Sequence, residues 1–419
     1  MNQSIIRKPE LLMPASNLEV LQTAVRYGAD AVYIGGEAYG LRAGARNFTP
    51  DAMRAGIDYA HQHGVRVHVT VNILAHNDDL EGIEDYLYEL KSMQPDALII
   101  SDPGVFDLAV KMCPEIERHI STQANNTNYG TVRFWHRQGA KRVVCARELT
   151  LREIRELIEH VPSDMEIETF VHGAMCISYS GRCLLSSFMT GRDANRGACT
   201  HPCRWNYSVV EETRPKEVMP VFENERGTFI FHSKDLCMID HMDDLIDAGI
   251  DSFKVEGRMK NSLYVATVCR AYRDAIDLCL RDRKAYRERI PWYLEQVSNC
   301  THRDFGTGFF YGRPGSDGQV YQGSPYHKES VYLGIAGDEA GTDGCSFWLE
   351  QKNKFSVGDM IEVMGFDGQD RCLQVLSIQD SEGREQESAP HARQMVRVTV
   401  SAPVVYGEVL RSARTVTGS

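Results

Sequence analysis

Eight short runs rich in β-branched residues, each parted from the next by a stretch of helical periodicity, constrain this chain's fold more than any other feature. The runs are ELLMP, AVYIGG, VRVHVTVNI, DALIISD, RHISTQA, RVVCAR, MEIETFVHG and DSFKVEGRMK. Near-continuous apolar runs are how strands buried on both faces read, and strand–helix alternation builds a parallel sheet. The first crossover carries the expected signals. Asn17 stands where a helix N-cap belongs, Leu18, Leu21 and Val25 repeat at helical spacing, and Gly28 follows where the helix would end. Eight parallel strands over about 260 residues fit a (β/α)8 TIM-type barrel better than an open doubly wound sheet. No G-x-G-x-x-G follows a strand and no G-K-[ST] occurs, so nucleotide-binding loops give the open sheet no support.

The interval between the seventh and eighth runs, about residues 174–250, is too long for one crossover and predicts an insert in an α/β barrel domain spanning 1–325. From 326 to 419 the texture becomes short alternating runs such as VYLGIAG, CSFWLEQ, CLQVLSI and MVRVTVSAPV, separated by turn residues. These predict a small antiparallel β-barrel domain.

The chain of 419 residues has a formal net charge of −12, which argues against a surface that grips nucleic acid by overall positive charge. Local basic stretches remain at Arg66, at Arg192–Arg204 and at Arg281–Arg289, and solvated helix or loop charge is the plainer reading of each. No run approaches the roughly 18 unbroken apolar residues of a membrane span, and MNQSIIRKPELLMPAS lacks the apolar core of a secretory signal. The expectation is a cytoplasmic protein with no membrane partner. In that compartment thiols stay reduced, so cysteines that cluster point to metal or catalysis rather than disulfides.

They do cluster. FVHGAMCISYSGRCLLSSFMTGRDANRGACTHPCRW holds Cys176, Cys183, Cys199 and Cys203, and Cys237 follows in SKDLCMID. Four soft thiolates suit an iron–sulfur cluster or a tetrahedral zinc. Only Cys199 and Cys203 form a close pair of the zinc-ribbon kind, which favours iron–sulfur and leaves zinc as the alternative. The insert follows the carboxyl end of the seventh strand, the end where barrel active sites lie. Cys113, Cys145, Cys269, Cys279, Cys300, Cys345 and Cys372 stand singly and read as packing residues.

The run ETFVHGAMC from Glu168 to Cys176, then SGRC from Ser180 to Cys183 with Ser186, resembles the signature of the collagenase-like peptidase family, U32. The likeness continues through PELLMPA, GADAVYIGG, NRGACTHPCR, SKDL, KVEGRMK and NKFSVGDMIEV, and so covers nearly the whole chain. A full barrel followed by one β domain is most similar to the branch that helps convert the wobble uridine of tRNA to 5-hydroxyuridine, with prephenate as a metabolic requirement. The resemblance implies tRNA as partner, prephenate as a co-substrate and a second family member as a partner subunit. It also implies a 4Fe-4S cluster on Cys176, Cys183, Cys199 and Cys237, with Cys203 as alternate ligand. A relative that hydroxylates a cytidine of ribosomal RNA is longer, and others hydroxylate ubiquinone precursors.

Proteolysis is the competing class. No H-E-x-x-H and no G-x-S-x-G is present, and a thiol activated by His172 or His201 is the remaining route. For hydroxylation, the catalytic candidates at strand ends are His172, Lys254, Glu256 and Arg258, with Asn72, His76, Gln123, Asn125 and Glu148 as further lining. Arg258 or Lys254 is expected to face a prephenate carboxylate through charge-assisted pairing.

Overall fold

The computed structural model describes residues 7–41, 47–176, 178–205, 223–224, 227–228, 233–314, 330–338 and 343–413. Seven parallel strands run β1 (Glu10–Pro14), β2 (Ala31–Gly35), β3 (Arg66–Val71), β4 (Ala97–Ile100), β5 (Glu117–Ile120), β6 (Arg142–Val144) and β7 (Glu166–Gly173). A short hairpin, β8 (Glu223–Asn224) with β9 (Gly227–Thr228), and β10 (Asp235–Cys237) then precede β11 (Ser252–Val255). That strand pairs in parallel with both β1 and β7 and closes an eight-stranded barrel. Every strand expected from the sequence is present in it.

The crossovers are α1 (Leu18–Arg26), α2 (Pro50–Gln62), α3 (Asn77–Leu80) with α4 (Ile83–Met93), α5 (Pro103–Met112), α6 (Tyr129–Arg137) and α7 (Leu151–Glu159). Asn17 caps α1 by accepting from the Val20 amide, as its position predicts. The insert carries α8 (Leu185–Thr190), and α9 (Met242–Asp247) leads into β11. A long helical pair, α10 (Ser262–Arg281) and α11 (Arg283–Ser298), covers the wall beside β1 and β10. β12 (Phe305–Gly306) adds to β10.

The outward faces of the strands and the helices share one large apolar core, whereas the barrel interior is mostly polar. Leu12, Ala31, Tyr33 and Ile99 form a small apolar cluster there. Beside it the Arg142 guanidinium bonds Glu10, Glu166 and Glu168, and Lys254 Nζ donates to Glu168 Oε1 at 2.8 Å. Burial opposes ionising Glu168, but the Lys254 and Arg142 charges outweigh it and hold the carboxyl below its usual range. His68 and His119 meet edge-on at 4.7 Å in the same interior, and burial drives both rings well below their ordinary pKa.

Six of the remaining strands, Tyr332–Ile335, Ser346–Glu350, Met360–Met364, Asp370–Gln379, Met395–Val400 and Val409–Ser412, form an antiparallel sheet around Val363, Val398 and Leu410. Its edges approach where the Gly337 amide donates to Trp348 O and the Trp348 amide to Asp338 O, so the sheet is nearly closed. Alternation along Asp370–Gln379 turns Leu373 and Val375 inward and leaves Cys372 exposed, against the expectation of a packing residue; Cys345 is half-buried. The boundary expected at 325/326 lies outside the described residues. The two halves meet through buried polar contacts. Tyr27 donates its hydroxyl to Met364 O at 2.8 Å and accepts from the Val409 amide at 2.9 Å, and Arg270 bonds Gly365 O and the Asp370 carboxylate.

Candidate functional site

At the carboxyl ends of the barrel strands lies a cavity of about 320 Å³. Its wall takes Tyr33 from β2, Thr70 and Asn72 from the end of β3, Gln123 after β5, Arg147 after β6, Phe170 from β7, and Lys254, Glu256 and Arg258 from β11 onward. The glycines of the local motifs make this wall possible. A Cβ on Gly35 would lie 2.3 Å from the Arg258 guanidinium, which instead lies against bare backbone and donates to Thr70 Oγ1 at 3.0 Å and Asn47 Oδ1 at 2.7 Å. Gly173 has φ +111°, and a Cβ there would stand 2.4 Å from Glu256 O.

Charge is distributed unevenly over the wall. Lys254 is locked to Glu168 and lies 4.6 Å over the Tyr33 ring, while Asp235 is matched by the Arg303 guanidinium at 2.7 Å. Arg147 donates to Ala174 O, lies 5.4 Å over Phe170, and has no carboxylate partner among the described residues.

The insert closes over this mouth and lines it with Cys176, Cys183, Cys199, His201 and Cys203. Its folding is local and polar. Ser180, in a left-handed conformation at φ +47°, is held by the Glu148 carboxylate, which accepts from its amide at 2.6 Å and its hydroxyl at 2.9 Å. Asn195 brackets Cys183 by accepting from its amide and donating to its carbonyl. Ser186, Thr190 and Thr200 share a hydroxyl network that ties the Cys183 segment to the Cys199 segment. Backbone amides of Ser178 and His201 point at the sulfurs of Cys176 and Cys199, each at 3.4 Å, contacts of the kind that support a metal-bound sulfur.

Four thiols therefore line one cavity, a donor set whose chemistry suits a soft-metal or iron–sulfur centre. Among the described residues no three His, Cys, Asp or Glu side chains are grouped closely enough to hold a metal ion as they stand.

Five of the residues singled out in the sequence, His76, Asn125, Glu148, His172 and Cys237, do not line the cavity. The β7–β11 register shifts between Lys254 and Val255, so His172 pairs with outward-facing Val255 instead of following Glu168 and Phe170 into the barrel. Its ring packs against Tyr264, Tyr272 and Phe305, with Nδ1 3.3 Å from the Tyr272 hydroxyl, and burial lowers its pKa to about 3. Cys237 stands opposite His172 in the antiparallel β7–β10 pair, and its thiol lies 3.9 Å from the Tyr272 hydroxyl, outside the cavity, with its pKa pushed up to about 12 by burial. Its strand nevertheless adjoins the end of β7 from which the insert departs. His76 caps α3, Asn125 ends a 3-10 turn and Glu148 commits its carboxylate to Ser180; none of the three lines the cavity. The sequence reading missed Arg147; its signal was a cation directly after a barrel strand, in RVVCAR.

Over residues 16–319 the chain matches the profile described as Peptidase family U32, and over 328–411 that of the Peptidase family U32 C-terminal domain. It is 40% identical to the tRNA hydroxylation protein P1 of Bacillus subtilis (strain 168), an alignment covering 98% of this chain and 96% of the relative. Identity to the tRNA hydroxylation protein P of Escherichia coli (strain K12) is 40%, over 85% of this chain and 86% of that one. The 23S rRNA 5-hydroxycytidine C2501 synthase of Escherichia coli (strain K12) is 36% identical over 74% of this chain and 46% of its own length.

Proposed function

The chain belongs to peptidase family U32, and from that membership we propose that it takes part in hydroxylating the wobble uridine of tRNA to 5-hydroxyuridine. The observation that carries this reading is the 40% identity, along 98% of the chain, to a protein named for tRNA hydroxylation. The ribosomal RNA enzyme among the relatives supports the same chemistry, a hydroxyl on C5 of a pyrimidine.

Replacing the C5 hydrogen by hydroxyl is a two-electron oxidation, which no side chain at the mouth performs unaided. A 4Fe-4S cluster would supply electron transfer, and Cys176, Cys183 and Cys199 are the thiols proposed to hold it. Cys203 shares their cavity and Cys237 is the member implied by family likeness; serine variants of the two assign the fourth ligand. The chain's own residues bind and orient. Arg258 and Arg147 offer cationic donors to a carboxylate such as those of prephenate, the proposed co-substrate, and Phe170 and Tyr33 provide flat apolar surface. Lys254 is less available, because Glu168 already holds it. A second family member as partner subunit and a cytoplasmic location complete the proposal; no described helix is long and apolar enough to cross a membrane.

Deleting the gene and measuring tRNA nucleosides by mass spectrometry tests the reading. Loss of 5-hydroxyuridine and its derivatives, restored by the wild-type gene, is the expected result. Unchanged nucleosides would refute it.

A further inference from the structure

The three basic stretches of the chain end up in different circumstances. Arg66 is drawn into an ionic network with Glu10, Asp96 and Glu117. Along α11, Arg283 pairs with Asp247, Arg287 with Asp243 and Arg289 with Asp274. In the insert, Arg196 is held by Asp79, but Arg182 and Arg192 are exposed and have no carboxylate partner among the described residues.

Between these two arginines in the sequence lie strongly exposed apolar side chains. On α8 the inner side carries buried Ser186 and the Thr190 hydroxyl bonded to Thr200. The outer side leaves Leu184 75% and Phe188 86% exposed, one helical turn apart. Trp205, 40% exposed, follows the 3-10 turn Pro202–Arg204 that packs on α8. Scattered apolar residues on a surface are ordinary, but a cluster rimmed by polar groups marks an interaction site.

We propose that this outer face of the insert is an RNA-docking surface on which Phe188 and Trp205 stack unpaired bases while Arg182 and Arg192 meet phosphates. The inference rests on the tRNA reading above and adds where the RNA lies. Charge favours this occupant: the chain is at −12, yet Arg182 and Arg192 are exposed, make no ion pair among the described residues and bracket exposed Phe188 in sequence, although Arg192 shares a groove with Glu37, Asp78 and Asp79. Cations with exposed aromatic rings are what single-stranded nucleic acid uses. Continuity supports it too. The inner side of the same insert lines the cavity with Cys183, Cys199 and Cys203, so a loop lying across α8 sits at the mouth into which its target base must be turned.

The test is fluorescence anisotropy with a labelled anticodon stem-loop RNA and a fully paired hairpin, each over a range of KCl. Phe188→Ala removes a side chain exposed enough that the thermal midpoint should hold, and Trp205→Ala, at a more covered position, is read beside its own thermal midpoint. Each should weaken stem-loop binding by about five- to a hundredfold, change the paired hairpin less, and leave the salt slope intact. The double variant Arg182→Gln/Arg192→Gln should weaken both RNAs and lower the salt slope by about one to two units. Variants that bind like wild type, while wild type binds and tRNA in cells carries the hydroxylation, would overturn the docking surface and leave the function standing. Wild-type protein that binds no RNA, with unchanged tRNA nucleosides on gene deletion, would overturn the function and this surface with it. A Phe188→Ala protein that keeps RNA affinity but loses association with a second family member would make the face a subunit interface instead.

Discussion

Replacing Glu148 by alanine should loosen the cysteine insert without unfolding the barrel. The Glu148 carboxylate accepts two hydrogen bonds from Ser180, at 2.6 and 2.9 Å, and so holds that residue at φ +47°. A left-handed conformation costs a non-glycine residue about 1–2 kcal/mol, which these bonds offset. A hydrogen bond to a charged group contributes about 1.5–3 kcal/mol, but Glu148 is half-buried and water can replace part of the loss. A net cost of about 2 kcal/mol follows, a factor of about 30 in the opening equilibrium of the insert. Native-state hydrogen exchange reads this directly. The amides of Cys183, bonded to Asn195, and Thr200, bonded to Ser186, should exchange about 30-fold faster. Those of Val69 in β3 should not change. Equal acceleration in β3 would mean that Glu148 stabilises the whole barrel, and unchanged insert amides would refute the clamp.

Acid should destabilise the protein well before its surface carboxylates titrate. His172, with a folded pKa of about 3, and His68 and His119, also lowered by burial, all take up protons on unfolding once the pH falls below the ordinary value of 6.5. Each adds a slope of about 1.4 kcal/mol per pH unit, so stability from urea unfolding should fall steadily from pH 6.5 toward 4 and less steeply in His172→Gln. Glu168, whose pKa is lowered by Lys254 and Arg142 against burial, adds stability that is lost as the pH falls from the usual carboxylate range toward its lowered folded value. Lys254→Met should cost about 3–5 kcal/mol by leaving the Glu168 carboxylate buried without that partner, and Lys254→Met/Glu168→Gln should recover part of it in thermal unfolding. Protein purified without oxygen should be brown, with iron and sulfide in similar amounts, and Cys176→Ser or Cys183→Ser should abolish the colour. If Cys203 is the fourth ligand, Cys203→Ser should bleach the protein and Cys237→Ser should not; the opposite result assigns Cys237.

The barrel was readable because parallel strands buried on both faces advertise themselves as β-branched runs between glycines, as AVYIG and RVHVTV do. The cysteine insert was readable from spacing alone. What stayed hidden depends on register. Strict alternation along IETFVH carries His172 inward with Glu168 and Phe170, but the irregularity beside Val255 turns it toward α10. Cys237 goes with it as the residue opposite, toward a tyrosine 35 positions away. The Glu148–Ser180 clamp joins the loops after the paired strands β6 and β7, and the lock of Lys254 on Glu168 joins residues that only barrel closure brings together.

The Tyr27 hydroxyl, buried between Met364 O and the Val409 amide, also bears on how the chain is made. These partners are 337 and 382 residues downstream, and at about 5–20 residues per second Val409 is synthesised roughly 20 to 80 s after Tyr27. During that time the turn after α1 has no protein partner for its hydroxyl, and β1 also waits for β11 to cover its second edge. Final burial of the first strand–helix unit is thus a late event of biosynthesis. A ribosome stalled within the β domain should hold a nascent chain whose protease-sensitive point lies near its amino terminus, far from the residues still missing.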